Sequence, residues 1–132
     1  MEFAEAAGGK RNIRALVVDD DTTIRTIHCR LLQNLGIQDL DVAINGKEAI
    51  DIHCSGRNFH LILMDLEMPI INGIEATKQL RAMGVRSTIA GVSTWSSEQR
   101  VQEFMQAGLD DYQAKPLTSA KLISILNKIN IK

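Results

Sequence analysis

Cysteine is scarce in this sequence: among 132 residues there are only two, Cys29 and Cys54. They stand far apart and form no CxxC pair or other ligand spacing. Isolated cysteines of this kind are small buried hydrophobic residues of a reducing compartment more often than disulfide partners or metal ligands. We therefore predict two buried, unpaired thiols, and a fold that does not depend on disulfides.

The sequence also lacks an excess of charge of either sign. Its formal net charge is -1, and acidic and basic residues are interspersed along the chain. Proteins that bind nucleic acids or anionic membranes usually carry a basic patch or stripe. The charge pattern therefore argues against a DNA-binding domain and predicts no nucleic-acid or membrane partner.

Long hydrophobic runs are missing as well. No stretch approaches the roughly 18 apolar residues of a membrane span. The segment Met1–Lys10 has neither the basic start nor the apolar middle of a signal peptide. We expect residues 1–11 to be a disordered lead-in and the protein to be a monomer of the cytoplasm, with the nucleus as a second location.

Short apolar runs alternate with helical patterns along the rest of the chain, and a chain of this length forms about one domain. The predicted strands are Ile13–Val18, Asp39–Ile44, His60–Met64, Thr88–Val92 and Asp111–Ala114. The segments that follow them have helical spacing and lie at 24–35, 45–55, 74–83, 101–105 and 122–129. Glycines that suit helix C-termini follow three of these segments, at Gly36, Gly84 and Gly108. Strands that each precede a helix predict an α/β domain over residues 12–132, with a doubly wound five-stranded parallel sheet and five helices.

Polar side chains follow four of these strands. Residues 16–21 read LVVDDD and place Asp19, Asp20 and Asp21 at the end of the first strand. The third strand ends in Asp65, the fourth in Ser93 and Thr94, and the fifth in Lys115. Because the strands are parallel, we expect all of these side chains to lie at one edge of the sheet. Carboxylates a few ångströms apart repel by about 4 kcal/mol per pair at an effective dielectric near 20, so they are expected to hold a divalent cation. Mg²⁺ fits best, because it accepts one or two carboxylates and leaves positions for phosphate oxygens. With a hydroxyl donor and an ammonium group beside the metal, phosphoryl transfer to an Asp is the chemistry that these residues predict.

Four segments together carry a family resemblance: LVVDDD, LILMDLEMPIINGIEA, GVST and DYQAKPL. They resemble the receiver domain of two-component response regulators over nearly the whole of Asn12–Ile131. The resemblance implies a flavodoxin-like fold with strand order 2-1-3-4-5. It also implies a phosphoryl group accepted on Asp65.

The same resemblance assigns roles to the neighbouring residues. Asp20 and Asp65 would bind Mg²⁺ directly, together with the backbone carbonyl of Glu67, while Asp19 would act through water. Lys115 would pair with Asp65 and then with the phosphate, and Pro116 is similar to a cis-proline of this family. Ser93 resembles the hydroxyl that turns towards the phosphoryl group, and Tyr112 the aromatic residue whose rotamer follows it.

The resemblance further implies a signalling domain rather than an enzyme. Its partner would be a histidine-containing phosphotransfer protein or a histidine kinase, and its output a switched interaction surface or the draining of phosphate from a relay. The segments DYQAKPL and MPIINGIEATKQLR are most similar to those of plant stand-alone response regulators of type C. This similarity implies cytokinin-type signalling as the setting. Because the sequence ends at Lys132, soon after the fifth helix, no output domain is expected.

Three alternatives stay open. Asp19, Asp21 and Thr23 spell the D-x-D-x-T motif of haloacid-dehalogenase-type phosphatases, in which Asp19 would be the nucleophile. The chain could also be a receiver cut from a hybrid histidine kinase. A third possibility is an interaction module that takes no phosphate.

Several polar residues also have an ordinary structural interpretation. Asp21 is expected to cap the first helix, and Asp110 and Asp111 to form a solvated turn. Gln113 suits an edge strand, and Trp95 either packs in the fold or faces a partner. The three histidines, His28, His53 and His60, show no ligand spacing.

Overall fold

Five parallel strands form one sheet in the order β2-β1-β3-β4-β5. The computed structural model of the chain describes residues 12–94 and 96–129. The strands are β1 Arg14–Val18, β2 Asp39–Ala43, β3 Leu61–Asp65, β4 Thr88–Ser93 and β5 Asp111–Ala114. The predicted fold is confirmed, and the strand bounds differ from the prediction by no more than a residue at either end. β2 is added on one side of β1 and β3 on the other, so the strand order reverses at β1. Proteins with α/β sheets of this topology bind ligands at that point.

A helix follows every strand of this sheet. The helices are α1 Thr22–Asn34, α2 Gly46–Cys54, α3 Gly73–Ala82, α4 Glu98–Gln106 and α5 Ser119–Leu126. Each begins after a side chain that accepts a backbone N–H of the first turn, and these N-caps are Asp21, Asn45, Asn72, Ser97 and Thr118. The predicted capping role of Asp21 is confirmed, since its Oδ1 accepts from the N–H groups of Thr23 and Ile24.

Two hydrophobic cores cover the two faces of the sheet. Alternate residues of a strand point to opposite faces, so Val17 and Leu63 pack with α1 and α5, while Leu16 and Ile62 pack with α2, α3 and α4. All of these side chains are almost completely buried. The sheet is thus held on both sides, which fixes the positions of the residues at its carboxyl edge.

The prediction of a solvated turn at Asp110 and Asp111 is confirmed for Asp110, which is exposed at a bend, and is wrong for Asp111. The Oδ2 atom of Asp110 accepts from Arg81 Nη2 and from the N–H of Ile89, both at 2.9 Å. Asp111 is the first residue of β5 and pairs with Lys128 at 3.1 Å. Helix α3 brings Arg81 over this loop, a contact that the local sequence does not show.

The remaining sequence predictions concern isolated residues. Both cysteines are free, but neither is fully buried as predicted: Cys29 is half-buried, and Cys54 is exposed on the last turn of α2. His53 and His60 make ordinary backbone contacts, to the carbonyl of Ala49 and the N–H of Arg14. Gln113 does lie on the edge strand β5, as predicted. Trp95 and residues 1–11 lie outside the described residues.

Within residues 12–94 and 96–129, no helix is both long enough and apolar enough to cross a lipid bilayer.

Candidate functional site

Three carboxylates meet at the carboxyl ends of β1 and β3. Asp19 and Asp20 follow β1, and Asp65 is the last residue of β3. One oxygen from each of the three lies within 4.8 Å of the others. Asp19 and Asp65 are buried, whereas Asp20 is exposed at the mouth of the site. The predicted convergence of these residues is therefore present in the structure.

Lys115, which follows β5, connects the two buried carboxylates. Its Nζ atom lies 2.9 Å from Asp19 Oδ2 and 3.0 Å from Asp65 Oδ1. The pairing with Asp65 agrees with the prediction, and the equally short contact with Asp19 was not foreseen. Burial lowers the pKa of Lys115, but the hydrogen bonds and charges of the two aspartates outweigh burial and hold that pKa above its ordinary value.

A single ammonium group does not balance the negative charge of this cluster. Burial, and then the charge of Asp19, raise the pKa of Asp65 to about 6, although Lys115 acts in the opposite direction. Without a further cation, Asp65 is therefore harder to ionise than an ordinary carboxyl group. A second positive charge would stabilise the cluster when all three aspartates are ionised.

The donor set suits Mg²⁺, which prefers carboxylate and carbonyl oxygens. Asp20 has no hydrogen-bond or ion-pair partner among the residues that the structure describes, so both of its oxygens are available. Asp19 differs, because its Oδ1 accepts from the N–H of Asp21 at 2.9 Å and its Oδ2 pairs with Lys115. This difference favours direct ligation by Asp20 and an indirect role for Asp19.

Ser93 and Tyr112 form a direct hydrogen bond at the adjacent strand ends. The Oγ atom of Ser93, at the end of β4, lies 2.6 Å from the hydroxyl oxygen of Tyr112 on β5. Ser96 Oγ lies 3.2 Å from Ser93 Oγ. The Tyr112 ring packs edge-on against Phe104 of α4. The sequence predicted that both residues act together but not that their hydroxyl groups touch.

Two residues that support the site were missed in the sequence. Arg25 Nη1 donates to the backbone carbonyl of Asp19 at 2.8 Å and fixes the end of β1. Its position four residues after the cap Asp21, one turn along α1, was the available signal. Gly73, the first residue of α3, donates its N–H to the Leu66 carbonyl at 2.7 Å and packs directly against the backbone of Asp65.

The loop after β5 also agrees with its prediction. The peptide bond between Lys115 and Pro116 is cis. The next residue, Leu117, is buried in the core on the α1 and α5 side of the sheet.

Comparison with known protein families gives one match across most of the chain. The model of the response regulator receiver domain matches residues 15–127. The chain belongs to this receiver domain family. The acidic cluster, Lys115 and the Ser93–Tyr112 pair all lie within the matched residues. The phosphatase alternative loses its support, because its acid/base residue, Asp21, is engaged as the cap of α1.

Plant response regulators are among the similar proteins. Two-component response regulator 24 of Arabidopsis thaliana is 59% identical over 118 residues, which are 89% of this chain and 84% of that protein. Two-component response regulator ORR41 of Oryza sativa is 36% identical over 124 residues, which are 92% of this chain and 98% of that protein. The predicted resemblance to plant stand-alone response regulators is confirmed by these relatives.

Solved receiver domains have the same fold. The receiver domain of the histidine kinase CKI1 from Arabidopsis thaliana, solved in complex with Mg²⁺, has a TM-score of 0.75 and 29% identity, with 91% of this chain and 93% of that chain covered. The receiver domain of the sensor histidine kinase PA1611 from Pseudomonas aeruginosa, with magnesium in its active-site cleft, has a TM-score of 0.79 and 28% identity, with 89% and 96% covered. Receiver domains of two histidine kinases thus share this architecture.

Proposed function

We propose that Asp65 accepts a phosphoryl group from a phosphohistidine of a partner protein, with Mg²⁺ bound at Asp20, Asp65 and the backbone carbonyl of Glu67. The observation that carries this proposal is the placement of Asp65 beside Lys115 and two further carboxylates at one edge of the sheet. A carboxylate oxygen of Asp65 attacks phosphorus and forms a new P–O bond. The P–N bond of the donor breaks, and its electron pair returns to the imidazole nitrogen.

Each residue contributes one physical effect to this transfer. Mg²⁺ would supply charge neutralisation for the phosphoryl oxygens. Lys115 is already within 3.0 Å of Asp65, so its ammonium group can move to a phosphoryl oxygen with little reorganisation. Asp19 holds Lys115 from its other side and keeps it at the site.

Phosphorylation would switch the surface through Ser93 and Tyr112. An aspartyl phosphate adds close to two negative charges beside the acidic cluster. The Ser93 hydroxyl would turn to donate to the phosphoryl group and so leave Tyr112 Oη. Tyr112 would then take a new rotamer against Phe104, which changes the face formed by α4, β5 and α5.

Tyr112→Phe is expected to strengthen the binding of the phosphoryl analogue beryllofluoride by about fivefold, the equivalent of about 1 kcal/mol. The substitution removes the 2.6 Å hydrogen bond that Ser93 must otherwise break. Titration of beryllofluoride in Mg²⁺ by calorimetry measures the change. Ser96→Ala is the matched control, because its contact with Ser93 is longer at 3.2 Å and its effect should be smaller. Weaker binding by Tyr112→Phe would contradict this order of events.

The partner that we propose is a histidine-containing phosphotransfer protein or a histidine kinase, and a cytokinin-type relay in the cytoplasm and nucleus is the setting. Two-component regulators of Arabidopsis and rice among the similar proteins support the choice of a two-component relay in a plant. The domain would either dock onto a target after phosphorylation or drain phosphate from the relay. It would be a monomer and would act as a signalling domain rather than as an enzyme with a small-molecule substrate.

Transfer of ³²P from a phosphohistidine donor tests the proposal. Label is expected on this chain in the presence of Mg²⁺ and not in the presence of EDTA. The label should be lost on treatment with hydroxylamine, which cleaves acyl phosphates. Absence of label under saturating Mg²⁺, or turnover of a chromogenic phosphate ester, would contradict it.

A further inference from the structure

Glu67 and Arg100 form an ion pair across the rim of the acidic site. Glu67 lies in the loop after β3, two residues beyond Asp65, and Arg100 lies in the first turn of α4. Arg100 Nη2 is 3.3 Å from Glu67 Oε2 and 3.4 Å from Glu67 Oε1, so one nitrogen faces both carboxylate oxygens. The pair joins the loop that carries the expected carbonyl ligand to the helix that borders Tyr112.

The side chain of Glu67 has no other anchor. Its only hydrogen-bond and ion-pair partner among the described residues is Arg100, and its own side chain is 67% exposed. Arg100 is better held, because it is 33% exposed and also lies 3.6 Å from Glu103. If Arg100 were absent, the Glu67 carboxylate would be free to turn towards the mouth of the site.

The orientation of the Glu67 carboxylate matters because of the charge of the neighbouring site. Lys115 and a bound Mg²⁺ together only balance the charges of Asp19, Asp20 and Asp65, and an incoming phosphoryl group carries further negative charge. A fourth unpaired carboxylate at the entrance would repel the donor. An ion pair this exposed contributes little to folding stability, so its effect is expected in the rate of association and transfer.

We propose that Arg100 is a positioning residue for phosphoryl transfer, which holds the Glu67 carboxylate on the α4 side so that the loop after β3 offers its backbone, and not its acidic side chain, to the incoming phosphoryl group. This inference rests on the proposed function. It assigns to Arg100 a role in the entry of the donor that is separate from the chemistry at Asp65.

The initial rate of labelling by a phosphohistidine donor tests the role of Arg100. At low salt and saturating Mg²⁺, Arg100→Ala is expected to lower that rate by about fivefold, mainly through a higher KM for the donor. Arg100→Lys keeps the charge and should restore most of the rate. Adding Glu67→Gln to Arg100→Ala should also recover most of it, because the unpaired charge is then gone.

Ionic strength separates this role from a structural one. The deficit of Arg100→Ala should shrink as salt rises, since the Debye length is about 10 Å at 0.1 M. An Arg100→Ala rate equal to that of the wild type, or a double variant as slow as Arg100→Ala, would overturn the inference while leaving the acceptor role of Asp65 intact. A wild-type protein that takes no label would overturn both.

Discussion

Asp65→Asn is expected to take no ³²P label from a phosphohistidine donor and, in the absence of Mg²⁺, to be more stable than the wild type. The amide lacks the nucleophilic oxygen charge that attacks phosphorus, so transfer should fall below detection. At neutral pH the same change should raise the free energy of unfolding by about 1 to 2 kcal/mol. A loss of function and a gain of stability are thus predicted from one substitution.

The gain in stability follows from the pKa of Asp65. Burial and the charge of Asp19 raise it from the ordinary value of 3.8 to about 6 in the folded protein. The folded state therefore binds a proton more tightly than the unfolded state, and ionising Asp65 costs stability as the pH rises from about 4 through 6. The gain in stability is smaller than the whole shift from 3.8 to about 6 would give, because the cluster opens to solvent at Asp20.

Urea unfolding in EDTA measures this effect at several pH values. The advantage of Asp65→Asn should be full well above pH 6, should decline as the pH falls through 6 towards 4, and should vanish only well below 3.8, where the wild-type carboxyl group is protonated in both states. Asp51→Asn is a matched control, because Asp51 lies on the surface of α2 and pairs with the exposed Lys47. A destabilised Asp65→Asn would show that the contact with Lys115 outweighs the repulsion, and a labelled Asp65→Asn would place the acceptor elsewhere.

The residues at the strand ends were predictable because the sheet topology brings them together. Parallel strands that alternate with helices place every strand end at one edge, so Asp19, Asp20, Asp65, Ser93 and Lys115 could be assigned to one site before any geometry was known. The sheet topology does not predict, however, that the three carboxylates of LVVDDD have different roles. In the structure the first pairs with a lysine, the second has no partner among residues 12–94 and 96–129, and the third caps a helix. Only the capping role has a local signal in the sequence.

Contacts between distant elements could not be predicted from local patterns. The bond between Ser93 and Tyr112, the second partner of Lys115 and the attachment of Asp110 to Arg81 all join residues that are far apart in sequence. Each depends on how helices and loops pack on the sheet and on which rotamer fills the remaining space. Hydrophobic periodicity defines the elements but carries no information about these pairs.

Gly73→Ala is expected to destabilise the fold by about 3 kcal/mol and to reduce phosphoryl acceptance strongly. A Cβ atom at Gly73 would lie far inside contact distance of the Asp65 carbonyl oxygen and 2.9 Å from the Phe104 ring. Neither neighbour can withdraw easily, because the carbonyl belongs to the central strand β3 and Phe104 is completely buried. The substitution should therefore displace the end of β3 together with the acceptor carboxylate.

Gly84→Ala provides the control at the opposite end of α3. Gly84 has a φ of +89°, and a Cβ atom there would meet nothing within 4 Å. Its cost should be about 1 kcal/mol, from backbone conformation alone, and phosphoryl acceptance should persist because the acceptor lies at the other end of the helix. Urea unfolding and ³²P labelling of both variants make the comparison. If Gly73→Ala were no less stable than Gly84→Ala, close packing of α3 against β3 would not be what holds Asp65 in position.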